Sequence, residues 1–293
     1  MIANSRYLFP HYSLVIIFFA NVYSQDFNVK PYLQNVTPSS IHIMWETTSN
    51  DESIVHWGET TDLGHVTTGD AENSINSYYI HDVHLTDLEP NTRYYYKAVT
   101  GSLESQIFDL VTPVELGNES SLKVIAMSDM QKDWSNFNKF QEIINQGIFN
   151  YLEIGDSLLL TDALDLVLIP GDLVDNGINH AEWSDHFFGP SEPLFSHVPL
   201  YPVMGNHEYN SSYYFSYFNL PANGTPGYQE HWWWADFSNV RVIGLDSNWD
   251  YQLAVQLNWL ENVLDETCGD LNIDFVFAQL HHPHRSELWV PGE

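Results

Sequence analysis

Two hydrophobic periodicities run along the chain and change over near residue 120. Up to Pro113, apolar residues alternate over short stretches broken by turn residues, the pattern of half-buried strands. SIHIMWET (Ser40 to Thr47) puts Ile41, Ile43 and Trp45 on one face, and SIVHWGE and QIFDLVT repeat the theme. LTDLEPNTRYYYKAV then carries Leu88, Pro90 and Tyr94 at the spacing of a tyrosine corner, in which a phenol at the start of a strand bonds back to upstream backbone. In that strand Tyr94, Tyr96 and Ala98 face inward, and Tyr95 and Lys97 outward. A small antiparallel sandwich is the prediction. From Leu122 onward LKVIAMSD and VPLYPVMGNH read as buried strands, and LDLVLIPGD, VRVIGLDS and IDFVFAQLHH as further strands. Phe137, Phe140, Ile144, Ile148 and Leu152 recur at helical spacing, as do Leu253, Leu257, Leu260 and Leu264. Strands alternating with helices predict an α/β layer fold with a largely parallel central sheet and helices on both faces. Sites in such folds gather beyond the carboxyl ends of the strands.

The resulting division is a leader over residues 1–24, an all-β domain over 25–114 and an α/β domain over 121–293. Met1 to Ser24 contains Arg6, the apolar run Leu14 to Val22 and a small-residue ending at Ser24. It reads as a cleaved secretory signal, too short to anchor the chain across a bilayer, and it predicts export to the periplasm, cell surface or medium. No later stretch approaches the roughly 20 apolar residues of a membrane span. Nine Lys and Arg stand against thirty-nine Asp and Glu, a formal charge of −30. Nucleic-acid binding through a basic face is thereby excluded. The same charge repels anionic substrates unless bound cations invert the local potential. Cys268 is the only cysteine, so the chain has no internal disulfide, and a thiol near a helix end is assigned no chemistry.

Polar chemistry collects at the strand ends. The first strand ends at Asp129, the second at Asp172 in PGDLVDNG, the third at Asn206 and His207 in GNHE, and the fifth at His281 and His282. A Gly-Asp after a strand is by itself a turn, and His-His-Pro by itself a loop. Four strand ends presenting carboxylates, an amide oxygen and imidazoles, with no thiolate, suit Fe, Mn, Zn or Mg, and two ions sharing a carboxylate need this many ligands. DLVDNGINHAEW is not a calcium loop: Gly177 falls at its sixth position, but Val174 and Trp183 occupy positions three and twelve, where oxygen ligands are required. Trp232 to Trp234 are assigned to core packing and a pocket rim rather than to a sugar platform.

SDMQ, GDLVDNG, GNHE and QLHHP, in that order behind a fibronectin type III-like module, resemble the calcineurin-like metallophosphoesterases, in particular their purple acid phosphatase branch. The resemblance covers nearly all of the chain after the leader. It implies an exported hydrolase of phosphate monoesters, with diesters a further class, that acts on small phosphorylated substrates by attack of a metal-bound hydroxide. It implies two divalent or mixed-valence metal ions, Fe, Mn or Zn. Residue by residue, Asp129 becomes a ligand of the first metal, Asp172 the bridging carboxylate, and Asn206 and His281 ligands of the second. His207 becomes the catalytic histidine that hydrogen-bonds the scissile phosphate, with His282 or His284 as weaker candidates, and Glu208 orients its neighbours. Two positions and one missing block depart from the family. Asp175 stands where purple acid phosphatases carry a metal-bound tyrosine, which argues against a purple ferric centre; it is a replacement ligand or a turn carboxylate. Gln131 stands where the wider superfamily often has histidine, as a ligand or as a polar neighbour of one. The final Gly-His-x-His block does not occur, which implies a C-terminally incomplete phosphoesterase domain that holds metal weakly or is inactive. The rival expectation is a binding or surface-attachment protein with a degenerate, non-catalytic second domain.

Overall fold

The computed structural model describes residues 26–75, 77–154 and 159–283. The secretory-signal assignment and His284 lie outside these residues. Strands β1 (Phe27–Thr37), β2 (Ser40–Thr47), β3 (Ser53–Gly58), β4 (His65–Ile75), β5 (Tyr78–Leu85), β6 (Arg93–Thr100), β7 (Leu103–Glu104) and β8 (Phe108–Val111) form the N-terminal all-β domain. They pair in the order β1-β2-β5-β4-β3-β6-β7, with β8 on β6. Strand β4 joins the two halves, pairing with β3 through His65 to Gly69 and with β5 through Asp70 to Ile75. The alternation does what it predicts: Ile41, Ile43, Trp45, Tyr94, Tyr96 and Ala98 are all buried. The tyrosine corner closes as the Glu89 backbone N–H donates to the Tyr94 hydroxyl at 2.9 Å.

His81 is an uncommon member of this core. Its ring stacks on Trp45, with Nδ1 2.8 Å from Ser53 Oγ and Nε2 2.9 Å from Thr47 Oγ1. Burial is the largest influence on it and pushes its pKa down from 6.5 to about 4. Between those values the unfolded chain binds a proton that the folded chain refuses. The resulting stability is fully present above pH 6.5 and declines as pH falls toward 4. Urea unfolding at pH 7 and pH 5 should therefore show that acidification shifts stability less favourably in wild type than in a His81→Gln variant; equal shifts in both proteins would refute this.

The second domain continues the expected alternation, but its strands divide into two sheets. Strands β9 (Val124–Ala126), β10 (Leu166–Pro170) and β11 (Leu200–Val203) form a parallel sheet in the order β11-β10-β9. Strand β12 (Trp233–Phe237) pairs antiparallel with β13 (Val240–Gly244), which pairs parallel with β14 (Phe275–Gln279). Every residue of β11 is buried, and Pro202, which has no N–H to give, is accommodated because β11 lies at the sheet edge. The sheets meet where the Tyr201 ring packs on Trp233 and Phe237, at centroid distances of 5.5 and 5.2 Å, and Gln279 Nε2 donates to the Tyr201 carbonyl at 2.9 Å. Trp232 and Trp233 belong to this core, while the Arg241 guanidinium lies 3.9 Å over the Trp234 ring.

Helical spacing is realised less evenly. Phe140, Ile144 and Ile148 are buried on a helix that passes from Lys139–Glu142 through a π-helical Ile143–Ile148 to Phe149–Tyr151. Phe137 precedes it and is exposed. On helix Ala254–Gly269 the buried residues are Gln256, Val263 and Thr267, whereas Leu257 and Leu264 are exposed. Polar anchors choose that face: the Gln256 amide exchanges hydrogen bonds with the Asp246 backbone, and Arg241 Nη1 donates to Thr267 Oγ1 at 2.6 Å. Cys268, near the end of this helix, is exposed.

The two domains are joined by buried hydrogen bonds. Tyr32 OH donates to the Tyr217 carbonyl at 2.6 Å, Tyr96 OH to the Ser196 carbonyl at 2.7 Å, and Gln34 Nε2 to the Leu200 carbonyl at 3.0 Å. Fully buried Glu46 of β2 receives Tyr217 OH at 3.1 Å and faces His180 Nε2 at 3.0 Å. His180 begins the short helix that follows the Asp172 loop, so the all-β domain braces the segment carrying that carboxylate.

Candidate metal centre

The loops after β9, β10, β11 and β14 meet at one end of the second domain. Asp129 and Asp172 both adopt left-handed backbone, with φ of +59° and +54°. That conformation costs a non-glycine residue roughly 1–2 kcal/mol and persists where surrounding structure enforces it. Its enforcement here is close packing of loop on loop. A Cβ at Gly171 would stand 2.7 Å from His281 Nδ1 and 2.8 Å from Gly205 N, and one at Gly205 would stand 2.2 Å from Asp172 Oδ1. The glycines of Gly171-Asp172 and Gly205-Asn206 thus let these two loops touch through backbone.

Asp172 is the hub. Its Oδ1 accepts the His207 backbone N–H at 3.0 Å and lies 3.3 Å from His281 Nε2; its Oδ2 accepts Gln131 Nε2 at 3.3 Å. Burial opposes its charge, but the hydrogen bonds and charges of His281 and His207 outweigh that and hold the carboxyl below its ordinary range. His281 Nδ1–H donates to the Pro170 carbonyl at 2.9 Å, which aims Nε2 at Asp172 and at Asn206 Oδ1, 3.1 Å away. Burial favours the neutral ring, yet the Asp172 hydrogen bond and charge, the Pro170 carbonyl and the Asp129 charge push His281 up to about 9. A carboxylate oxygen, an amide oxygen and an imidazole nitrogen therefore point at one place. A positive centre there, a proton on Nε2 or a cation, reconciles the three lone pairs, and this hard oxygen and nitrogen set fits a divalent cation.

Glu208 holds the loops together from beneath. Fully buried, its carboxylate accepts the backbone N–H groups of Gly205 at 2.7 Å, Leu173 at 2.8 Å, Asp172 at 2.9 Å and Val174 at 3.4 Å. Burial, followed by the Asp172 charge, pushes its carboxyl up to about 7, against the pull of those N–H groups. His207 Nδ1–H donates to the Asp175 carbonyl at 2.7 Å, leaving Nε2 on the open side, 3.9 Å from Asp172 Oδ2.

Asp172, Asn206, His207 and His281 are brought together. Asp129 stands beside them, its carboxylate accepting from Ser128 Oγ and its charge acting on His281. Among the described residues no group of three His, Cys, Asp or Glu side chains is gathered closely enough to hold a metal ion alone; the convergent set depends on the Asn206 amide. Asp175 meets His207 through its backbone carbonyl, with its carboxylate 3.6 Å from His207 Nδ1. His282 turns aside, its Nδ1 3.0 Å from Ser247 Oγ. Asn248 escaped the sequence reading: its Nδ2 donates to the Met204 and Gly205 carbonyls at 3.3 Å, and its backbone N–H to buried Asp246 at 2.9 Å. A polar LDSN run at a strand end is its only signal in the sequence.

The calcineurin-like phosphoesterase family profile matches residues 122–293, more than half of the chain. The chain belongs to the calcineurin-like phosphoesterase family. The profile of the purple acid phosphatase N-terminal domain matches residues 27–112, the all-β domain that precedes the phosphoesterase domain. Among curated proteins, "Probable purple acid phosphatase 20" of Arabidopsis thaliana is 25% identical over 272 residues, covering 86% of this chain and 58% of the relative. "Acid phosphatase type 7" of Danio rerio is 27% identical over 227 residues, covering 69% of this chain and 44% of the relative. The chain thus spans about half the length of these relatives. A purple acid phosphatase isolated from yellow lupin (Lupinus luteus) seeds shares the fold, with a TM-score of 0.66 at 21% identity over 84% of this chain and 50% of that one. Among the described residues, no helix is long and apolar enough to cross a membrane.

Proposed function

We propose that this phosphoesterase hydrolyses small phosphate monoesters at a centre holding two metal ions, with Asp129, Asp172, Asn206 and His281 as ligands and Asp172 between the ions. The approach of Asp172 Oδ1 and Asn206 Oδ1 to His281 Nε2, at 3.3 and 3.1 Å, is the observation that supports this. When bound, such ions supply Lewis acidity toward the phosphoryl oxygens and acidify a water molecule. The chain's own residues do the positioning. Asp172 is held by His207 N–H and Gln131 Nε2, and His281 is held in the tautomer that offers Nε2 by the Pro170 carbonyl. His207, anchored through Nδ1, presents Nε2 to a phosphoryl oxygen or to the leaving oxygen, where it hydrogen-bonds the developing charge or delivers a proton. Cations also suit the global electrostatics, because a chain of charge −30 repels a phosphate ester without them. Export is the companion inference, from the Arg6 and Leu14 to Val22 pattern of the leader.

Elemental analysis of purified protein, paired with p-nitrophenyl phosphate turnover in added Mn, Zn or Fe, tests this directly. Bound metal and metal-dependent phosphate release are expected. Absence of both, under conditions in which a phosphatase of established activity turns over, would remove the catalytic reading and favour a binding protein.

A further inference from the structure

Two buried polar atoms near the centre are left without partners. Gln131 donates Nε2–H to Asp172 Oδ2 at 3.3 Å, but its Oε1 is buried and receives no hydrogen bond among the described residues. His186, on the π-helical turn Trp183–Phe188, has a buried Nδ1 in the same condition; the Glu182 carboxylate is 3.8 Å away. Both side chains line one cavity of about 30 Å³, together with Asp129, Lys139 and Phe140. An unsatisfied buried acceptor costs roughly 1–3 kcal/mol. Two around one small cavity call for a common explanation.

Amide geometry supplies it. As placed, the Gln131 amide turns its N–H toward Asp172, which suits a carboxylate with no cation on it. With a cation between Asp129 and Asp172, that N–H would face positive charge. A half-turn of the amide exchanges its two ends: the oxygen joins the two carboxylates, and the NH₂ points into the cavity. His186 Nδ1, a lone-pair acceptor when its proton is on Nε2, borders that cavity. One rotation thereby gives partners to both orphaned atoms, directly or through a single water, which a cavity of this size accommodates. We propose that Gln131 is an amide-oxygen ligand of the cation shared by Asp129 and Asp172, and that His186 is the positioning residue that receives the released amide N–H. Gln131 adds a hard, neutral oxygen, so the site favours Mn²⁺ or Mg²⁺ over softer ions. The assignment rests on the two-metal proposal above.

The test is Mn²⁺ binding by calorimetry and electron paramagnetic resonance on the full chain, with metal-free melting as a check on folding. Wild type should bind two ions. Gln131→Ala should weaken one of them about 10–100-fold, the range for lost partners of a metal site, with the melting temperature held. His186→Phe, which keeps a flat ring but offers no acceptor, should weaken the same ion about 3–10-fold, as expected for one hydrogen bond. In wild type, the Gln131 side-chain NH₂ resonances, assigned by triple-resonance spectroscopy, should shift on Mg²⁺ addition even if a variant misfolds. Two-ion binding with an unchanged Gln131→Ala affinity, or NH₂ resonances indifferent to Mg²⁺, would overturn the ligand assignment alone. Unchanged affinity in His186→Phe would overturn its positioning role. A wild type that binds no Mn²⁺ would overturn the two-metal proposal and this one with it.

Discussion

Glu208→Ala should unfold the metal-free chain at markedly lower urea, with a loss of about 4 kcal/mol or more. The carboxylate receives four backbone N–H groups from two loops, those of Asp172, Leu173, Val174 and Gly205. Deleting it leaves these donors buried, at roughly 1–3 kcal/mol for each one that finds no replacement, and water entering the gap recovers only part of that. The left-handed turn at Asp172 loses its enforcement at the same time. Glu208→Gln should fall between alanine and wild type, because its amide oxygen still accepts while its NH₂ meets donors head-on. Equilibrium urea unfolding of the three proteins decides this; an alanine variant within 1 kcal/mol of wild type would show that the loops hold each other without the carboxylate.

Asp172→Asn should lower p-nitrophenyl phosphate turnover by about 10³-fold or more, roughly 4 kcal/mol of transition-state stabilisation. Asparagine tolerates left-handed backbone, and its Oδ1 can still accept the His207 N–H, so the loop keeps its shape. What is lost is charge, at the one carboxylate that His281, His207 and Gln131 all address. Bound metal should fall alongside turnover while the melting temperature of the metal-free protein changes little. Turnover within tenfold of wild type, at unchanged metal content, would remove Asp172 from the bridging role.

Both variants probe features of different legibility. Asp172 was readable because it ends an apolar strand and is followed by an ordered series of similar strand ends. The pairing of Glu208 with four N–H groups was not: an acid after Asn-His could as well line a loop, and only the approach of residues 172–174 to residues 205–208 gives it work. Gly171 and Gly205 were hidden for the same reason, since a glycine before a polar residue records a need for space without recording whose atoms fill it. The helical leucines show the converse. Leu253, Leu257, Leu260 and Leu264 have the right period, yet Gln256, Val263 and Thr267 form the buried face, because hydrogen bonds to Asp246 and from Arg241 turn the helix that way.

By itself the sequence determined the all-β domain and its tyrosine corner, the strand–helix alternation that follows, and the strand ends at which carboxylate, amide and imidazole side chains occur. These depend on local periodicity and turn chemistry, which each segment carries within it. The tertiary structure alone decided that the second domain's strands divide into two sheets. It also decided that Glu46 ties the all-β domain to the Asp172 segment, and that Asp172 and Asn206 bring oxygens to 3.3 and 3.1 Å from His281 Nε2. Those outcomes are set by contacts between residues far apart in the chain, where burial removes water and leaves each polar group only the partners that packing supplies.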